Sequence, residues 1–145
     1  MALPLVVDAS VALKWFFQGA DEPDAAIAAD VLAAVSDGRV RLLQPPHFIA
    51  EVGAVLARES PGSAEADLVD LLQIRLSIVS DELVHLRALS LATRLGHHLF
   101  DTLYHAVALE REGAVLVTAD DRYFRKAHAL GRIVRLVNAS ALLKA

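Results

Sequence analysis

Leu5-Val6-Val7-Asp8 and Val115-Leu116-Val117-Thr118-Ala119-Asp120 are the two stretches that decide how this chain reads. Each is an unbroken aliphatic run that ends in an acid. A strand wetted on one side alternates apolar with polar residues, whereas a run without alternation belongs to a strand covered on both faces, as in parallel sheets flanked by helices. In such sheets ligands bind beyond the carboxyl ends of the strands. Both carboxylates fall there.

Glycine marks where helices stop. Gly38, Gly96, Gly113 and Gly131 each follow a helical pattern, the position just past a helix end that glycine favours. The spacing predicts strands at 3–7, 40–43, 77–79, 114–118 and 132–136. It predicts helices at 10–17, 22–37, 46–59, 64–75, 82–95, 101–112 and 121–130, with a last helical turn near 139–143. Strands alternating with helices imply crossover units and an α/β architecture with a mainly parallel sheet, helices on both faces. Ser60-Pro61-Gly62-Ser63 is a turn between helices, too short to divide domains, so residues 1–145 are expected to form a single domain.

The chain has 145 residues, no cysteine and a formal charge of −4, with pI near 5.8. Disulfides, thiolate metal sites and cysteine nucleophiles are excluded. No global basic field announces a nucleic-acid binder, so any such binding is local. The densest basic run, Arg122, Arg125, Lys126, His128, Arg132 and Arg135, follows Asp120 directly. Hydrophobic residues make up 55% of the chain and mean hydropathy is +0.44, which points to apolar surface covered by a partner or a second copy. No apolar run approaches a bilayer span and Met1–Val7 lacks a signal peptide's basic flank, so a cytoplasmic protein without membrane contact is expected.

Glu51 lies in Phe48-Ile49-Ala50-Glu51-Val52-Gly53-Ala54-Val55, a helix apolar on every side and therefore buried. A buried carboxylate costs several kcal/mol unless it is paired or coordinates a cation, so Glu51 is either in a distant ion pair or in a cation site. Asp101 opens a helix, where an acid is commonly an N-cap. Its interest comes from the company of Asp8, Glu51 and Asp120. Oxygen-donor acids without cysteine suit a hard divalent cation, Mg²⁺ or Mn²⁺, and the chemistry such a site serves is phosphodiester cleavage. The adjacent His97 and His98 read as exposed polar surface. Ser10 and Thr118, each two residues from an acid, are positioned to orient a water or ligand, or else serve as an N-cap and as strand-end packing. No Gly-rich phosphate loop or G-x-S-x-G elbow is present.

Val7-Asp8-Ala9-Ser10-Val11-Ala12-Leu13-Lys14-Trp15, Pro45-Pro46 through Glu51-Val52, Asp101-Thr102-Leu103-Tyr104-His105-Ala106-Val107-Ala108 and Leu116-Val117-Thr118-Ala119-Asp120 resemble, in order, the four acidic motifs of PIN-domain ribonucleases. Size and motif order are most similar to the VapC-type toxins of toxin–antitoxin pairs. The resemblance implies a PIN-like three-layer α/β/α sandwich, Mg²⁺- or Mn²⁺-dependent endoribonuclease activity on an RNA substrate, a homodimer, and inhibition by a cognate antitoxin protein. It implies Asp8, Glu51, Asp101 and Asp120 as the catalytic and metal-binding quartet, Asp8 and Asp101 foremost, with Ser10 and Thr118 in support. The chain departs from the pattern at Gly53, where members often carry asparagine. Asp121 directly follows Asp120 and contests the fourth position.

Two other readings compete. A non-catalytic PIN-like protein-binding module would keep the fold without cleaving RNA. A receiver-type phosphoacceptor domain would want an acidic pair after the first strand and a lysine after a late one; here Asp8 stands alone, and Arg132-Ile133-Val134-Arg135-Leu136-Val137 leads to Asn138.

Overall fold

The covered strands of the sequence pair into one sheet. The computed structural model describes residues 1–17, 19 and 21–144. Its strands are β1 (Leu3–Val7), β2 (Val40–Gln44), β3 (Leu76–Ile78), β4 (Val115–Thr118) and β5 (Ile133–Arg135), in the order β3-β2-β1-β4-β5 with every pairing parallel. Leu5, Val6 and Val7 of β1 are fully buried, as are Leu116 and Val117 of β4, which is why neither run alternates. The helices are α1 (Ala9–Ala12), α2 (Ala25–Ser36), α3 (Phe48–Glu59), α4 (Ala64–Leu72), α5 (Glu82–Leu95), α6 (Leu99–Glu110), α7 (Asp121–Ala127) and α8 (Ser140–Leu143). They flank the sheet as the α/β/α sandwich that the pattern predicts.

Most element ends shift by one to three residues from the spacing, and two of the differences bear on the site. Helix 10–17 is a single α turn that tightens into a 3₁₀ turn at Leu13–Trp15, where the buried Trp15 indole donates to the Ala28 carbonyl at 2.9 Å. Helix 101–112 begins two residues early, at Leu99, because the imidazole of His98 accepts the Phe100 N–H at 3.0 Å and takes the N-cap position. Asp101 is therefore not a cap but sits inside the first turn of α6. Thr102 through Ala108 are all buried, so α6 is the most enclosed helix among those described and holds Asp101 on a rigid support.

The ladder between β1 and β2 is extended by a side chain. Gln44, fully buried, donates from Nε2 to the Val7 carbonyl at 2.7 Å and accepts the Val7 N–H on Oε1 at 2.9 Å. The amide replaces two backbone groups and fixes the residue that precedes Asp8. Buried main-chain groups left unpaired there would each cost about 1–3 kcal/mol.

Candidate functional site

β1 is central; the chain runs from it through β2 to β3 on one side and then crosses to β4 on the other, so the crevice between the ends of β1 and β4 is the topological switch point of the sheet. Asp8 closes β1 and Asp120 follows β4 by two residues. Asp8 accepts from Ser10 Oγ on one carboxylate oxygen and from Thr118 Oγ1 on the other, and caps α1 by accepting the Val11 N–H at 3.3 Å. Both hydroxyls also accept: Ser10 Oγ takes the Ala119 N–H and Thr118 Oγ1 the Asp120 N–H, each at 3.0 Å. Ser10 and Thr118 thus hold Asp8 and, through the same oxygen atoms, the turn that carries Asp120. Ser10 is not the N-cap; Asp8 is.

Asp120 caps α7, its Oδ1 accepting the Tyr123 N–H at 3.0 Å. Asp101 comes from α6, and its Oδ2 lies 2.9 Å from Nε2 of His97. The described structure gathers one atom each from His97, Asp101 and Asp120 within 4.8 Å of one another. The His97 side chain is 8% exposed, contrary to the expectation that it faces solvent, because Gly96 ends α5 in the left-handed region at φ 59° and turns the chain back toward the crevice. Only a residue without Cβ takes that turn without strain. Its neighbour His98 is exposed, as expected.

Glu51 projects from the first turn of α3 and accepts the Tyr104 hydroxyl on Oε1 at 2.7 Å. Among the described residues no lysine or arginine pairs with it, so the distant ion pair is not what holds it. His47, the residue before α3, donates from Nε2 to the Phe100 carbonyl at 2.8 Å and packs its ring against Phe100 and Tyr104. A Cβ at Gly53 would meet Leu68 at 3.6 Å, on the α4 side, so the departure from the motif at this position faces α4.

The electrostatics join what the hydrogen bonds hold apart. Burial pushes the Asp8 carboxyl up to about 7 against the hydrogen bonds from Ser10, Thr118 and Val11, and the charge of Asp120 adds to the rise. Burial also raises Glu51; the Tyr104 hydroxyl opposes this and the charge of Asp101 reinforces it. Tyr104 and Tyr123 are both raised, first by burial, then by the surrounding carboxylates: Glu51, Asp8 and Asp101 around Tyr104, and Asp101, Asp8 and Asp120 around Tyr123. Both phenols stay protonated as donors. All four acids share one field, and a cation among them would reverse the penalty each imposes on the others.

The quartet is brought to one crevice but not into one ligand cluster. Asp101 and Asp120 form the cluster with His97, while Asp8 and Glu51 are drawn to hydroxyl donors beside it. Asp121 is exposed and paired with Arg135 at 3.2 Å, which leaves Asp120 as the acid facing the cluster. Sequence reasoning missed His97, Tyr104, Gln44 and Tyr123. Of these only Tyr104 carries a helical signal, since it follows Asp101 by three residues within α6. A cavity of about 1050 Å³ lies elsewhere, between α2 and α4 beside Trp15, Leu42 and Ile74, and none of Asp8, Glu51, Asp101 and Asp120 lines it.

A parallel five-stranded sheet with acids at its switch point describes a family as well as a geometry. The chain belongs to the PIN domain family, whose sequence profile matches residues 5–129. It is similar in structure to PAE2754 from Pyrobaculum aerophilum, at 22% identity and TM-score 0.67, over 99% of this chain and 98% of that one. It is similar also to a chain of a toxin–antitoxin complex from Klebsiella pneumoniae, at 14% identity and TM-score 0.64, over 91% of this chain and 97% of that one. A third similar structure is VapC20 of Mycobacterium tuberculosis, a sarcin–ricin loop cleaving toxin, at 15% identity and TM-score 0.63, over 86% and 95%. No curated protein sequence matches the chain.

Proposed function

We propose that this protein is a divalent-cation-dependent endoribonuclease and the toxin half of a VapBC-type toxin–antitoxin pair. The observation that carries the reading is the convergence of Asp101, Asp120 and His97 within 4.8 Å, beside a half-buried Asp8, at the switch point of a PIN fold. The donor set fits a cation such as Mg²⁺ or Mn²⁺: carboxylate oxygens predominate and thiolates are absent. Two of the similar structures are described as a toxin–antitoxin complex and a toxin, which supports the same reading.

In this proposal Asp101 and Asp120 would hold the ion, and Asp8 would complete the negative wall of the crevice. The ion supplies stabilisation for the charge that builds on the phosphate and acidifies the attacking water. Glu51, whose burial raises its affinity for a proton, would act as the base for an attacking water, with the Tyr104 hydroxyl holding the carboxylate in place. Arg122 and Arg125, exposed on α7 next to Asp120, contact the RNA backbone. Lys126 is engaged instead with the Gly96 carbonyl at 2.9 Å.

Partners follow from the surface. Leu83, Leu86 and Leu89 are 63%, 55% and 55% exposed along one side of α5, which supports a homodimer or antitoxin contact there and locates part of the apolar surplus that the composition shows. Among the described residues no helix is long and apolar enough to cross a membrane, and a cytoplasmic location accords with an RNA substrate. The test is cleavage of a small panel of structured RNAs with Mg²⁺, with Mn²⁺ and with EDTA. Cleavage in either metal and none in EDTA is expected; activity that survives EDTA contradicts the reading, and a protein that cuts no RNA yet copurifies with a partner favours the binding-module alternative.

A further inference from the structure

We infer that His97 is a direct ligand of the cation, making the site a mixed nitrogen–oxygen centre that prefers a first-row transition ion such as Mn²⁺ over Mg²⁺. This rests on the cation site proposed above and names a ligand that none of the four acidic motifs contains.

Geometry comes first. Two donors in adjacent positions around an octahedral ion, with bonds of about 2.1 Å, lie about 3.0 Å apart. Nε2 of His97 and Oδ2 of Asp101 are 2.9 Å apart. Donors on opposite sides of such an ion are about 4.2 Å apart; the three donors lie within 4.8 Å of one another, so a small side-chain adjustment brings them into one coordination sphere. An Nε2 that carries a proton donates to Asp101; with the proton on Nδ1 instead, the Nε2 lone pair would be free to take the ion in place of that hydrogen bond.

The imidazole is also held in place before any ion arrives. The main-chain N–H of His97 donates to the Ala92 carbonyl at 3.1 Å, closing the end of α5. Lys126 Nζ donates to the Gly96 carbonyl at 2.9 Å, tying that turn to α7, the helix that Asp120 caps. The ring packs edge-on against Tyr123 at 4.9 Å between centroids. Tyr123 is fixed in turn by His105: the Gly131 carbonyl only accepts, so His105 Nε2 carries the proton at 2.9 Å, and Nδ1 accepts the Tyr123 hydroxyl at 2.8 Å. One tyrosine therefore orients His97 with its ring and Asp120 with its N–H. A nitrogen donor held this way discriminates by chemistry, because Mg²⁺ takes oxygen ligands and keeps its waters while first-row transition ions accept imidazole.

The test is pulsed electron paramagnetic resonance of the full chain loaded with one equivalent of Mn²⁺, paired with calorimetric titration of Mn²⁺ and Mg²⁺. The wild type is expected to show ¹⁴N modulation that changes to the ¹⁵N pattern on histidine labelling, and His97→Gln is expected to lose it. Calorimetry of His97→Gln is expected to show Mn²⁺ affinity down about tenfold or more with Mg²⁺ affinity nearly unchanged, the scale that one ligand-sphere change commonly brings. Mn²⁺ bound in an Asp101-dependent way without nitrogen modulation overturns the inference and leaves the nuclease reading standing. Absence of any Asp101-dependent cation binding overturns both. Because the wild-type spectrum needs no substitution, a variant that fails to fold does not remove the test.

Discussion

Asp8→Asn in the cation-free protein exposes the cost of the crevice most directly. The Asp8 carboxyl rises from 3.8 to about 7, chiefly through burial. A raised carboxyl binds its proton more tightly folded than unfolded, so its favourable contribution is complete below the unfolded value and is lost as pH climbs through about 7. Above that pH the ionised group weakens the fold by at most about 4 kcal/mol, taking 1.36 kcal/mol per unit. Solvent reaching the half-buried side chain reduces this, and the asparagine amide, facing Thr118 Oγ1 as a donor where an acceptor stood, costs about 1 kcal/mol. A net gain of about 2 kcal/mol remains, which for a domain of this size raises Tm by about 4–8 °C. Thermal melts by circular dichroism in EDTA from about pH 4 to about pH 8 are expected to show a slight loss at the acid end that turns into a gain as pH rises and levels off above about 7. Mn²⁺ is expected to stabilise the wild type more than the variant. A variant less stable than wild type by the same amount at every pH refutes the reasoning, because Asp8 is then a structural acceptor and not a confined charge.

Three further outcomes follow from single contacts. Tyr104→Phe removes the hydrogen bond that opposes the rise of Glu51, so the acid limb of the pH–rate profile is expected to move to higher pH, with about 1–2 kcal/mol lost from stability by denaturant melt. Gln44→Leu leaves the Val7 N–H and carbonyl without partners and is expected to destabilise by about 3 kcal/mol, seen as a lower urea midpoint. Leu86→Glu, at an exposed position, is expected to leave Tm within a few degrees and to halve the mass measured by light scattering if α5 carries the homodimer contact; an unchanged mass places the contact elsewhere.

The sheet was legible because parallel strands buried on both faces cannot alternate: Leu5-Val6-Val7 and Val115-Leu116-Val117 declare themselves without any partner being known. Helix ends were legible where glycine accepts a backbone that other residues resist, as at Gly96 with its φ of 59°. The start of α6 was not, because the group that caps it is an imidazole, and histidine is not among the residues whose presence announces a cap. The acids were visible one by one from strand ends and from an apolar helix around Glu51. Their sorting was not: whether a carboxylate meets a hydroxyl or another carboxylate depends on residues such as Tyr104, distant from Glu51 in sequence and brought beside it only when α6 packs in the core. His97 was read as surface because spacing does not show that Gly96 turns it inward.

The central claim is that the acids at the ends of β1 and β4 and on α6 hold a divalent cation. Anomalous diffraction from crystals soaked in Mn²⁺ tests it most directly. A peak within bonding distance of Asp101 and Asp120, absent in Asp101→Asn, is the predicted result. Mn²⁺ bound only elsewhere, or no peak in the crevice, contradicts it.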